Sequence, residues 1–343
     1  MKNLKLLSLF LLGLFIHSCS TDFDINADYK DIAVVYGLLN PADTAQFVKL
    51  NKAFLGDVDA YTMAREEDSI YYESAEVFLV PEQAGTILQA DRIQLFETTE
   101  IDKDSGIFYY ETNRLFKTTE ALNPNRNYHL WILIPGKDTV SSYTPLISDL
   151  SVVSPSTASQ VKVSFANQFG YTDFKAEIAL NPNGFMYGLT IDFRYREHTA
   201  NGSVDKRLEW NQVTRNKEFV PGSQYNFLEW NLSGTEFYWF VSQRITPSDE
   251  VLFREFLGLD FHFSVAGEDL VSYIETNGPS QGIVQERPFF SNIQNGVGVF
   301  SARFNKSISN KAITDFSIDR LACDSLTREL RFLNAAGEVN ACN

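Results

Sequence analysis

From Phe185 to Arg196 the chain alternates apolar and polar residues. Leu189, Ile191, Phe193 and Tyr195 share one face, and Thr190, Asp192, Arg194 and Arg196 share the other. A period of two is that of a β-strand with one buried face and one wet face. Shorter runs of the same kind recur, each closed by turn residues. Ile32–Leu39 is followed by Asn40-Pro41-Ala42-Asp43, a turn signal, and then by Phe47–Phe54. Further strands are expected at Ala75–Val80 (ended by Pro81), Ile93–Glu97, Gly106–Arg114, Tyr128–Ile134 and Thr139–Tyr143. The second half adds Val161–Ala166, Phe174–Leu180, Met186–Glu197, Arg207–Thr214, Phe237–Arg244 and Gly296–Phe300, with a hairpin tip at Asn201-Gly202. Helical spacing is confined to Asp249–Leu257, behind Pro247 and a Ser248 cap, and to Glu268–Glu275. Tyr61–Asp68 fits a short helix or a loop excursion.

Short strands punctuated by turns predict a mainly β protein. An immunoglobulin-like β-sandwich is expected over 31–147, then a second β-rich domain over 160–343 with one or two short helices. The Ser-rich segment 148–160, containing Pro155, is the expected linker. The 28 Phe, 15 Tyr and 4 Trp suit pleated, half-buried surfaces, so core packing is the simplest reading of the aromatics. The net charge of −15 repels phosphate backbones, and no nucleic-acid partner is expected.

The N-terminus carries an address. Lys2 and Lys5 precede an apolar run, Leu6–Ile16, and His17-Ser18-Cys19 closes it. This is the pattern of a secretory signal, too short to span a bilayer. The small residue before Cys19 resembles a bacterial lipobox, although His17 departs from the usual small or aliphatic residue. The resemblance makes 1–18 a lipoprotein signal peptide and Cys19 the lipidated first residue of the mature chain, held by several acyl chains. Residues 19–30 then form an acidic tether. Ser20-Thr21-Asp22-Phe23-Asp24 resembles the export signal of surface-exposed lipoproteins in the Bacteroidota, flavobacterial ones especially. With Cys19 lipidated, Cys323 and Cys342 remain, and an even pair in an exported protein reads as a disulfide; two buried free thiols are the alternative.

Catalytic motifs are missing. The chain has no Gly-x-Ser-x-Gly, His-Glu-x-x-His or P-loop, and Gly296-x-Gly298 lacks the third glycine of a dinucleotide site. His129, His198 and His262 show no ligand spacing, so neither metal nor cofactor is expected. A Ser-His-Asp triad assembled only by folding stays open. Asp102-Lys103-Asp104-Ser105-Gly106 resembles the start of a calcium loop but lacks one ligand position and the distal Glu, and it reads more simply as a solvated turn. Four Asp-Ser/Thr-aliphatic triplets look like the Bacteroidota O-glycosylation signal and nominate Thr44, Ser69, Thr139 and Ser325. Turn chemistry explains them equally.

Val34–Pro41, Asn51–Gly56, Asn292–Arg303 and Leu321-Ala322-Cys323 together resemble a family of uncharacterised Bacteroidota outer-membrane lipoproteins. That family supplies no catalytic residues to transfer. Related lipoproteins accompany outer-membrane barrels such as TonB-dependent transporters. The resemblance therefore implies a non-enzymatic accessory or binding subunit, lipid-anchored at the cell-surface side of the outer membrane, with a β-barrel protein as partner. Two other functions stay open. A carbohydrate-binding lipoprotein would expose a row drawn from Trp131, Trp210, Trp230 and Trp239. A secreted hydrolase would need converging carboxylates or a Ser-His pair.

Overall fold

The computed structural model describes residues 31–53, 59–216, 227–278, 289–339 and 341–342. The first half contributes β1 (Ile32–Leu39), β2 (Gln46–Ala53), β3 (Glu76–Gln83), β4 (Thr86–Ile87), β5 (Ile93–Thr98), β6 (Leu115–Thr118), β7 (Asn127–Leu133) and β8 (Val140–Pro145). The second contributes β9 (Val152–Ser154), β10 (Ala166–Asn167), β11 (Gly170–Tyr171), β12 (Phe174–Ala179), β13 (Met186–Thr199), β14 (Gly202–Asn211), β15 (Arg215–Asn216), β16 (Phe227–Leu232), β17 (Val251–Ala266) and β18 (Gly296–Lys311). Among the described residues there are five short α-helices: α1 (Ala60–Met63), α2 (Glu67–Ile70), α3 (Gly234–Arg244), α4 (Glu268–Asn277) and α5 (Asp315–Cys323). The protein is mainly β, and no barrel closes among the described residues.

One mixed sheet runs β14-β13-β17-β18-β1-β2-β6-β5-β3-β7-β8, with β15 added on β13 and β4 on β3. The long strand β18 joins its two halves. Residues 296–302 lie parallel to β1, and residues 303–311 run antiparallel to β17. Val299, Phe300, Ser301 and Ala302 are buried on both faces, as a central strand in a parallel pair requires.

The alternation of β13 has its physical cause in the layer beneath it. Leu189, Ile191, Phe193 and Tyr195 are buried. They face α3, α5 and the three-stranded sheet β16-β12-β9. Aromatic rings fill the gap: Phe165 stacks on Phe237 at 4.1 Å, Phe193 meets Phe237 at 5.8 Å and Phe174 meets Phe261 at 6.0 Å. Such pairs add to the area they bury, so the aromatic content is largely a core property.

Four expected elements differ, and β3 runs on through Pro81 to Gln83 instead of ending there. Val161–Ala166 is irregular, with an isolated bridge at Val163 and strand pairing only from Ala166. Asp249–Leu257 belongs to β17 and is not helical. Leu252 and Leu257 fall between paired positions of β13, so two bulges offset the period of two and imitate a helical spacing. Phe237–Arg244 is the body of α3 and not a strand. Gly106–Arg114 is irregular, and pairing begins only at Leu115. Glu268–Glu275 is helical as expected, within α4.

Cys323 and Cys342 form a disulfide. It ties the C-terminal segment to the end of α5, and residues 331–333 add a parallel bridge beside Arg254 of β17. Closing a loop of 19 residues stabilises mainly through the unfolded chain. Cys342→Ser is expected to cost roughly 2–3 kcal/mol, read as a lower midpoint in urea.

Candidate functional site

Two surfaces gather side chains with chemistry to offer. The first lies where the described chain begins. Tyr72 donates its hydroxyl to Asp31 Oδ1 at 2.5 Å, and Lys137 Nζ sits 3.0 Å from Asp31 Oδ2. A cleft of about 920 Å³ opens here between Asp31, Lys137 and Gly296. β1 starts and β2 ends at this end of the sheet, and Lys52 of β2 donates to the Asp68 carbonyl of α2.

The segment 99–114 joins β5 to β6 at the same end, since Thr98 pairs with Leu115 and Lys49 reaches Asn113 at 3.4 Å. Its backbone is pinned. Tyr109 N–H donates to the Ala64 carbonyl at 2.7 Å, and the Tyr71 hydroxyl donates to the Thr112 carbonyl at 3.0 Å. Lys103 Nζ donates to the Tyr109 carbonyl at 2.8 Å, and Asn113 Nδ2 to that of Ile101 at 3.0 Å. Burial pushes the Lys103 ammonium below its ordinary pKa; burial, then the neighbouring Lys103 charge, does the same to Lys49. Above this cationic underside, Ile101, Ile107, Phe108 and Tyr110 are exposed, Phe108 by 54%, and α1 adds Tyr61. An apolar group displayed on a pinned backbone is a surface prepared for contact. The expected strand at Gly106–Arg114 fails for this reason: its apolar residues face outward and its backbone bonds to the helices.

The second surface is the polar face of β13 and β17. Asp192 pairs directly with Asp260, and His262 pairs with Thr190 two rungs along, on the same face. The ligating atoms of Asp192, Asp260 and His262 all lie within 4.8 Å of one another. His262 Nε2 stands 3.1 Å from Asp192 Oδ2, and its Nδ1 stands 2.8 Å from Ser307 Oγ of β18. Arg207 of β14 donates to the same Asp192 oxygen at 3.1 Å, and Arg194 Nε lies 2.7 Å from Asp260 Oδ2. Asp260 Oδ1 accepts from the Asn310 N–H at 2.7 Å. The carboxylate of Asp192 is sunk among these groups, and its Oδ1 is buried with no hydrogen-bond partner.

Folding thus brings Ser307, His262 and Asp192 into one hydrogen-bonded line. The order reverses that of a hydrolytic triad, because here the carboxylate meets Nε2 and the hydroxyl meets Nδ1. The line also lies on a sheet face, with the His262 side chain 40% exposed. Sequence reasoning missed this cluster. The signal was present: Leu259, Phe261, Phe263 and Val265 alternate with Asp260, His262 and Ser264.

The other nominated residues are scattered. Cys19 and the tether lie outside the described residues. Thr44, Thr139 and Ser325 are exposed and Ser69 is half-buried. Asp324, which precedes Ser325, is buried and accepts from the Tyr171 hydroxyl at 2.6 Å, a structural role. His129 bonds Glu82 at 2.7 Å, and His198 stacks on Phe253 at 4.2 Å. Trp230 is in the core and Trp210 packs against it. Glycan capture is left with the half-buried Trp131 on β7 and Trp239 on α3, 57% exposed.

The fold and these surfaces define a mainly β protein with an open mixed sheet, an exposed apolar loop beside its N-terminal entry and a charged ladder on its second half. Residues 20–308 match the family model described as a domain of unknown function, DUF4249, and the chain belongs to that family. No functionally curated protein matches it.

Proposed function

We propose that this chain is a lipid-anchored lipoprotein, exposed at the cell-surface side of the outer membrane, that serves as a non-enzymatic accessory or binding subunit of an outer-membrane β-barrel complex. One observation carries the reading. The exposed side chains of 99–114 stand at the end of the sheet from which the chain runs back to Cys19. The intervening residues, about a dozen, span at most roughly 40 Å when extended. The apolar loop is therefore held within reach of the membrane. A net charge of −15 disfavours an anionic lipid surface as its target. A pinned backbone suits a shaped protein partner, because little freedom is lost on binding. The Cys323–Cys342 bond fits an oxidising, exported setting.

The test is made in native membranes. A photo-crosslinking residue at Phe108 is expected to capture one barrel protein, recovered in equal amount after mild-detergent purification and identified by mass spectrometry. Ile107→Asp is expected to abolish the capture, and Cys19→Ser to move the protein out of the membrane pellet. Crosslinks to lipid alone, or recovery of the chain alone, would remove the accessory-subunit reading.

A further inference from the structure

We infer that Asp192, Asp260 and His262 form a binding site for one divalent transition-metal ion on the polar face of β13 and β17. Three observations converge on it. The first is the donor set: one imidazole nitrogen and two carboxylates, with all ligating atoms within 4.8 Å of one another. An imidazole among the ligands favours transition ions over the oxygen-seeking calcium and magnesium. The second is the orphaned oxygen. Asp192 is only 3% exposed, yet its Oδ1 lacks a hydrogen-bond partner. A buried carboxylate oxygen without a donor is costly unless something positive meets it. The third is the orientation of the ring. Ser307 Oγ lies 2.8 Å from Nδ1, so it can accept the Nδ1 proton and leave the Nε2 lone pair turned toward the two aspartates. Metal-binding imidazoles are oriented in this way through their second nitrogen.

The distances suit a small ion. A tetrahedral site with bonds of about 2.0–2.1 Å has ligand–ligand edges of roughly 3.3 Å. The edge from His262 Nε2 to Asp192 Oδ2 is already 3.1 Å, and the unpartnered Oδ1 is the second donor of the same carboxylate. Asp260 completes the set by swinging away from Arg194, and water takes the fourth position. No covalent chemistry is involved.

Arg207 sets the sign of a discriminating test. It competes for Asp192 Oδ2 from a side chain that is 58% exposed, so removing it frees a ligand without opening the core. Zinc ion is titrated into the full chain in mild detergent, followed by calorimetry and by the melting temperature. The unaltered protein is expected to take up one zinc per chain and to melt higher as zinc rises. His262→Gln, a change at a partly exposed ring, is expected to weaken binding at least about tenfold and to abolish the rise in melting temperature with zinc. Arg207→Gln is expected to tighten binding about two- to fivefold. A protein with both His129→Gln and His198→Gln is expected to bind as before. The inference is overturned if zinc leaves the melting temperature unmoved, if His262→Gln binds as well as the parent, if Arg207→Gln weakens binding, or if uptake disappears with His129 and His198 instead.

Discussion

Gly298→Ala is expected to destabilise the protein by on the order of 3–5 kcal/mol, placing it among the most damaging single methyl additions the chain can receive. Gly298 opens the stretch of β18 that is buried on both faces, opposite Val35 of β1. Its φ is +123°, a backbone conformation that side chains rarely adopt. A Cβ built there would lie 1.9 Å from the Val35 carbonyl oxygen and 2.9 Å from its carbonyl carbon. Neither atom can move alone, because Val35 is fully buried and its neighbours are paired on both sides, to β2 and to β18. The methyl group must therefore push the two strands apart.

Those strands are the seam between the two halves of the sheet, so the damage is expected to reach both. Gly85→Ala serves as the control. Gly85 also has a positive φ, +79°, but a Cβ there meets nothing within 4 Å. It should cost only the conformational term, about 1–2 kcal/mol. Urea midpoints for the two variants separate backbone strain from collision. Equal losses would mean that the close approach at Val35 relaxes without penalty.

Much of this architecture is written locally. The alternation of β13 is uninterrupted because one layer lies beneath it throughout; the hairpin falls where Asn201-Gly202 signals it, but its tip is shifted one residue to Ala200–Asn201, because Gly202 already pairs with Thr199. β17 is written less plainly. Its two bulges leave Leu252 and Leu257 unpaired beside Val251 and Phe256, so adjacent apolar pairs recur five residues apart and imitate a helical spacing. α3 hides for another reason: Phe237, Tyr238, Phe240 and Val241 are buried, and the exposed position between them is Trp239, so no polar residue interrupts the apolar run to mark a helical period. Gly106–Arg114, within the apolar loop, reads as a strand because composition does not say which residues face outward. The metal ligands are legible only as strand faces. Asp192 and His262 are 70 residues apart in sequence, and register alone makes them neighbours. The disulfide is legible by counting cysteines.

Arg254→Met is expected to cost about 3–5 kcal/mol and to loosen the C-terminal segment. Arg254 is the largest side chain that is wholly buried. Its guanidinium donates to Glu197 Oε1 at 2.9 Å, to the Leu330 carbonyl at 2.6 Å and to the Thr246 carbonyl at 3.2 Å. Methionine fills much of the volume but leaves the buried Glu197 carboxylate to Lys206 alone and strands two carbonyls. A buried pair broken on one side is far more damaging than the same pair replaced on both. The double change Glu197→Gln with Arg254→Met is therefore expected to be more stable than Arg254→Met alone, and comparison of the four proteins in urea measures the coupling. Hydrogen exchange at the Leu333 amide, which donates to the carbonyl of residue 254, and at the amide of residue 254, which donates to the Arg331 carbonyl, is expected to quicken in Arg254→Met. Acid provides a second check. Burial pushes the Glu197 carboxyl up, but hydrogen bonds from Lys206 and Arg254 outweigh burial and hold it below its ordinary 4.5. A carboxyl lowered in the folded state stabilises above its unfolded pKa, and that contribution is lost as pH falls through the folded value. The parent protein should lose stability below about pH 4.5 more steeply than Glu197→Gln does. Parallel acid limbs for the two proteins, or an Arg254→Met midpoint within about 1 kcal/mol of the parent, would show that the pair is worth no more than an exposed one.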